Sequence, residues 1–319
     1  MPATGHAPLI QLRRHRYQRD APEPMRLTDD DLAVLRFIGR YRFLRSTHLI
    51  RLFPDRSPKK LIERLGVLYH NQYLDRPRAQ LDYYATAGSA PMVYALGNRG
   101  ADALAEHDRI GRAHVDWTWK NREVGRLFIE HSLLIADVMV SVHVSLQQRP
   151  DIKLIEPEEI IANAPAATRA MRNPFYLKAR VRHDGAYHDL AVIPDRVFGL
   201  DFTAERKRSY FFLEADRGTM PIMRSTLTQT SIYRKLLTYV AGGAPENAFG
   251  KQLGVGNFRV VFVASSEERA ANMLSTSLST IPSAGSGQML FADQDAVSGQ
   301  DGFLGCQWKN SRSDHVVGV

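Results

Sequence analysis

Two acidic motifs carry the chemistry that this chain could perform. Pro194-Asp195 ends one apolar run, and Glu214-Ala215-Asp216 ends the next, with Glu214 placed 19 residues after Asp195. Two neighbouring strands joined by a short connection would bring Asp195, Glu214 and Asp216 to one end of a sheet. Carboxylates that close repel one another unless a cation lies among them. An all-oxygen donor set suits Mg²⁺ or Mn²⁺, and such a centre can activate water against a phosphodiester. The expectation is a metal site formed by Asp195, Glu214 and Asp216. Strand-end carboxylates also serve as partners for neighbouring cations, here Arg196 and Arg217.

Other candidates surround this trio. A helix expected over residues 122–147 carries Glu130, the acid best placed to join the site; its neighbour His131 reads as an internally hydrogen-bonded histidine. A second helix, expected over 220–240, places Gln229 and Tyr233 four residues apart on one face. The same helix carries Arg234 and Lys235, and Lys207 lies between the two acidic strands. The single cysteine, Cys306, excludes an internal disulfide and a cysteine-based zinc site. The chain lacks a Gly-x4-Gly-Lys-Ser/Thr phosphate loop and a Gly-x-Ser-x-Gly elbow, which argues against nucleotide hydrolysis and serine-hydrolase chemistry.

The elements that position these residues follow from periodicity. Thr28 before Asp29-Asp30-Asp31 is a helix start, with Leu32, Leu35 and Ile38 on one face. A short second helix follows Ser46-Thr47. Ser57-Pro58 starts a third, with Lys59, Lys60 and Arg64 outward and Leu61, Ile62, Leu65 and Leu68 inward. A hairpin with a small-residue turn at 85–90 precedes Val93-Tyr94-Ala95-Leu96 and a fourth helix. Three helices and a hairpin predict a winged helix-turn-helix, its third helix entering the major groove. Arg56, Lys59, Lys60, Arg64, His70 and Arg76 are its candidate DNA contacts. After a Trp117-Thr118-Trp119 boundary, the order α-β-β-β-α-β predicts an α+β or α/β domain. The expected divisions are a mobile basic arm at 1–25, the winged helix at 26–116, the second domain at 117–295 and a flexible tail at 296–319.

Charge agrees with a polyanionic partner. The net charge is +8, and residues 1–116 hold 19 Lys and Arg against 13 Asp and Glu, leaving 23 against 21 elsewhere. With no signal-type leader and no run of 18 apolar residues, a cytoplasmic protein that does not span a membrane is expected.

The spacing of Pro194-Asp195 and Glu214-x-Asp216 resembles the PD-(D/E)xK nuclease superfamily, with Asp216 where that pattern has lysine. The resemblance implies a restriction-endonuclease-like fold, in which Lys235, Arg234 or Lys207 would replace the lysine and Asp216 would be a third metal ligand. Gln229-x3-Tyr233 resembles an element that lines the DNA side of the site in some members. The wider layout resembles the replication-relaxation family of plasmid and integrative-element proteins. Its carriers are Leu27 to Leu32, Tyr94-Ala95-Leu96, His131 to Val138, Pro194-Asp195, Phe212 to Asp216 and Tyr233 to Tyr239. That resemblance, with the related mobilisation-C relaxases, implies metal-dependent nicking of double-stranded DNA at an origin of transfer or replication, alongside other mobilisation or replication proteins. The alternative is an inactive DNA-binding accessory or regulator that keeps the nuclease fold as a platform.

Overall fold

A computed structural model describes residues 16–22, 24–80, 90–109, 115–243, 246–280, 286–310 and 313–317. The chain is mixed α/β and divides into two compact units. The first is Met1–Ser46 with Asp55–Arg126; the second is Thr47–Pro54 with Leu127–Val319. Residues 1–15 of the expected arm and 85–89 of the expected turn lie outside the described residues.

In the first unit, helix α1 (Asp29–Tyr41) starts as expected at Thr28. The Thr28 hydroxyl accepts the Asp31 N–H, and the Asp31 carboxylate accepts the Thr28 N–H, so two otherwise unpaired donors are satisfied. Strand β1 (Leu44–Arg45) follows; helix α2 (Ser46–Leu52), from Thr47 onward, belongs to the second unit. Helix α3 (Pro58–His70) buries Leu61, Leu65 and Leu68, but Ile62, expected inward, is 46% exposed. Strands β2 (Leu74–Asp75) and β3 (Val93–Leu96) complete an antiparallel sheet in the order β1-β3-β2. Helix α4 (Asn98–His107) runs so close to the chain after α3 that a Cβ on Gly100 would sit 2.2 Å from the Tyr73 carbonyl.

Part of the expected mobile arm is held against this unit. The Tyr69 hydroxyl donates to the Tyr17 carbonyl, Arg19 pairs with Asp75, and the Asp20 N–H donates to His70.

The helix expected over 122–147 is two helices, α5 (Trp117–Glu123) and α6 (Arg126–Gln147). Val124 is extended, and Gly125 adds no side-chain packing to bridge the gap. Helix α6 is long and apolar enough to cross a membrane, with mean hydropathy 1.6, yet 61% of that stretch is buried inside the protein. From Ile129 onward most of its apolar side chains are core packing, while Leu127 and Phe128 at its start are exposed. Asp137 on α6 holds α2: His48 bonds to one carboxylate oxygen at 2.5 Å, and Gln294 donates to the other at 2.8 Å. The Gln147 amide donates to the Leu52 carbonyl. These contacts tie residues 47–54 to the second unit, although the sequence assigned them to the first domain.

The second unit continues through β4 (Ile152–Ile155), α7 (Pro157–Asn163), α8 (Ala166–Arg169), β5 (Leu177–His183), β6 (Ala186–Val192), β7 (Arg196–Phe202) and β8 (Lys207–Asp216). Then come α9 (Ile232–Gly242), α10 (Ala248–Leu253), β9 (Phe258–Ala264), α11 (Glu267–Thr280), β10 (Met289–Asp293), α12 (Gln294–Ser298), α13 (Gly302–Gly305), β11 (Trp308–Asn310) and β12 (Ser313–Val317). Seven strands form one sheet in the order β12-β11-β10-β9-β8-β7-β4. Strands β7 and β8 are antiparallel, while β8, β9 and β10 run parallel. Strands β5 and β6 form a separate two-stranded ribbon, turned by Asp184 and Gly185 at φ 48° and 77°, the signature of a tight primed turn.

Two expectations change here. The tail expected to be flexible from 296 contributes β11 and β12 to the sheet, because Val297, Phe303 and Trp308 are fully buried. The helix expected over 220–240 begins only at Ile232, where the Ser231 hydroxyl accepts the Arg234 N–H and caps it.

Candidate functional site

The C-terminal end of β8 and the residues that precede β7 meet as the acidic spacing requires. The Asp195 N–H donates to the Leu213 carbonyl at 2.9 Å, and Asp195 Oδ2 accepts the Ala215 N–H at 2.8 Å. Alternation along β8 places Glu214 and Asp216 on the face that Phe212 shares with Leu236 and Tyr239 of α9. Asp195, Glu214 and Asp216 line one cavity of about 250 Å³ together with His131, Arg217, Thr219, Met220, Ile232 and Lys235.

Each acid in the cavity already has protein partners. Glu214 is 1% exposed. Lys235 Nζ bonds to its Oε2, and the Tyr239 hydroxyl donates to its Oε1 at 2.5 Å. Lys235 and Tyr239 are four residues apart on α9, so one helix face grips both oxygens. Burial, with the nearby Asp195 charge, pushes the Glu214 carboxyl up to about 7, against the pull of Lys235 and Tyr239. Burial alone would lower the Lys235 ammonium, but the charges of Glu214, Asp195 and Asp216 outweigh it and hold the group above its usual range. Burial and the Glu214 charge drive the Tyr239 hydroxyl well above its ordinary value.

Asp216 is clamped. Arg269 of α11 donates through Nε and Nη2 to its two oxygens, at 3.1 Å each, and the Gly218 N–H donates to Oδ1 at 2.5 Å. Both oxygens are thus engaged by a guanidinium, which corrects the picture of Asp216 as a free third ligand. Among the described residues, no three His, Cys, Asp or Glu side chains are grouped to hold one ion. Glu214 is likewise engaged at both oxygens, by Lys235 and Tyr239, so a cation held by Asp195 and Glu214 would have to displace one of those partners or share an oxygen with it. Mg²⁺ usually keeps several waters and takes one or two carboxylates plus substrate phosphates.

The helix residues are redistributed. His131 Nε2 lies 3.1 Å from Asp195 Oδ1, and the hydrogen bond to Asp195 raises the imidazole above its usual value. Glu130, the acid chosen from this helix, instead pairs with Arg217 at 2.8 Å and does not line the cavity. Gln229 lies before α9 and accepts from Arg224, while Tyr233 packs edge-on to His183 at 5.6 Å. The two therefore do not share a helix face, and neither lines the cavity. Of the candidate cations, Arg234 donates to the carbonyls of Leu227 and Ala191, Lys207 begins β8 at its far end, and Lys235 alone of the three lines the cavity. Arg269 and Tyr239 escaped sequence reasoning. Tyr239 had a signal in its four-residue spacing from Lys235; Arg269, 53 residues from Asp216, had none.

In the first unit, Lys59 and Lys60 stand exposed on the opening turn of α3. Arg64, expected outward, pairs with Asp31 at 2.5 Å and donates to the Arg26 carbonyl. Arg56 lies 3.7 Å from Asp30, His70 accepts the Asp20 N–H, and Arg76 stacks 4.1 Å over the Tyr69 ring.

No curated protein and no solved structure matches the chain. The profile of the replication-relaxation family matches residues 35–250, which is more than half of the sequence and includes Asp195, Glu214, Asp216 and Lys235. The chain belongs to the replication-relaxation family.

Proposed function

We propose that this protein binds double-stranded DNA through a winged helix in its first unit and nicks it at a PD-(D/E)xK-type centre in its second, in the replication or mobilisation of a mobile element. The observation that carries the reading is the convergence of Asp195, Glu214 and Lys235 on one cavity. Lys235 supplies from α9 the cation that Asp216 cannot supply from the strand. Helices α1 and α3 with the antiparallel sheet β1-β3-β2 in the first unit, and a mixed sheet in the second whose acids lie at adjoining strand ends, support the two fold assignments.

In this reading Asp195 and Glu214 would hold Mg²⁺ or Mn²⁺, which would supply charge neutralisation and an acidified water. The chain's own residues do the rest. Lys235 offers a fixed positive charge to a phosphate that gains negative charge in the transition state. Tyr239 orients the Glu214 carboxylate. His131 orients Asp195 and can hold or release a proton at Nε2 beside the cavity. Lys59 and Lys60 contact phosphates from α3.

A second reading has support of its own. The Arg269 clamp on Asp216, with a partner on every acid of the site, suits a domain that has kept the fold as an inactive platform. A supercoiled-plasmid assay on DNA from the encoding element decides between them. Nicking with Mg²⁺ or Mn²⁺ that EDTA stops, and that Glu214→Gln abolishes, is expected. Absence of nicking on DNA that the protein binds would favour the platform.

A further inference from the structure

The ribbon β5–β6 has two unlike faces. Its inner face sets Val181 and Leu190 against Leu227, Tyr233 and Leu237, and Leu177 and Val192 join the main core. The Arg234 guanidinium donates to the Ala191 carbonyl and fastens the ribbon to α9. The register then puts Lys178, Arg180 and Arg182 on the outer face, opposite Ala191, Asp189 and Tyr187. All three cations are exposed, as is Asp189, the one acid on that face of the two strands.

Two aromatic rings stiffen this face. Arg180 stacks 4.8 Å over Tyr187, which is 63% exposed, and Lys178 lies 5.3 Å over Tyr176, which is 38% exposed. Each ring holds a cation against the sheet surface, so the positive charges on this face are positioned rather than free to swing. Three cations at two-residue spacing span about 13 Å of strand, comparable with the path of a few backbone phosphates. Moreover, β6 ends three residues before Asp195, which lines the cavity, so the ribbon and the cavity belong to one unit and are joined by a short stretch of chain.

We infer that the outer face of the β5–β6 ribbon is a second DNA contact, gripping the phosphate backbone beside the cavity through Lys178, Arg180 and Arg182. A two-stranded ribbon is narrow enough to follow a duplex groove. The inference rests on the DNA-binding reading above and adds a contact within the second unit.

The test uses the full chain and a fluorescent mixed-sequence DNA duplex, with affinity measured across a salt series. Replacing Lys178, Arg180 and Arg182 together by Ala should weaken binding about 10- to 100-fold near physiological salt and lower the log–log salt slope by roughly 2 to 3. Asp189→Asn should change affinity in the other direction, a few-fold tighter, which misfolding could not produce. Lys59→Ala with Lys60→Ala serves as an independent control in the first unit. If the wild-type protein binds and neither ribbon variant departs from it, the ribbon contact is wrong and the DNA reading stands. If the wild-type protein does not bind duplex DNA, both fall.

Discussion

Lys235 closes on the buried carboxylate of Glu214 from 21 residues further along the chain, across the loop that joins β8 to α9. The cation that the acidic motif lacks is therefore delivered by the next helix. It also sets the ionisation of Glu214, because it is the strongest influence pulling against burial.

A pH dependence follows. Glu214 is neutral below about 7 and ionised above it. Cation binding and nicking should therefore rise with pH through that region. Since Lys235 favours the charged form, Lys235→Ala should move this acid limb to higher pH, whereas Asp195→Asn, which removes a like charge, should lower the Glu214 titration seen by NMR. The stability sign is opposite to that of an ordinary salt-bridged acid. The folded pKa lies above the reference value of 4.5, so this group makes the protein less stable as pH rises from 4.5 to about 7. A nicking profile whose acid limb is unmoved by Lys235→Ala would remove Glu214 as its origin.

Asp216 and Arg269 should behave as a structural pair. Arg269→Ala leaves a nearly buried carboxylate without its cation, at a cost of roughly 3 kcal/mol. Asp216→Asn should lower the melting temperature too, while the metal dependence of any nicking stays as it was. Loss of nicking by Asp216→Asn without loss of stability would make Asp216 a ligand after all.

The basic residues of α3 should separate into two groups. Lys59→Ala with Lys60→Ala should lower the salt slope of DNA binding by about 2 and leave the melting temperature nearly unchanged. Arg64→Ala should do the reverse, destabilising the first unit because Asp31 is buried and loses its partner. Equal effects of all three on DNA binding would mean that Arg64 turns outward on DNA.

Gln229→Ala and Tyr233→Phe should leave nicking within about twofold of wild type, because neither residue lines the cavity. Glu130→Gln should weaken its pairing with Arg217 and leave the cavity acids in place. A large loss of nicking in Gln229→Ala, with binding intact, would place that loop over the reacting phosphate.

The sequence by itself determined what depends on short range. The Thr28 cap, the α3 start at Ser57-Pro58, and the apolar strand that carries Glu214 and Asp216 at its end follow from local chemistry and periodicity; Asp195, expected at a strand's end, instead stands just before β7. The meeting of Asp195 with Glu214 follows in the same way, since β7 and β8 are consecutive antiparallel strands with a short turn between them. Family membership was legible for the same reason, as a series of short motifs in fixed order. What required tertiary structure was the choice of partner among equivalent side chains. Lys235 was the cation favoured from the sequence, with Arg234 and Lys207 as alternatives, and the placement of α9 over β8 set Lys235 on Glu214. Asp216 read as a ligand until α11, far along the chain, brought Arg269 to it. His131 and Glu130 are adjacent in sequence, and the rotation of α6 decided which one faced Asp195 and which one faced Arg217. Periodicity fixes which face of an element is buried; it does not name the side chain that the opposite element presents, and in this site that pairing sets both the charge and the chemistry.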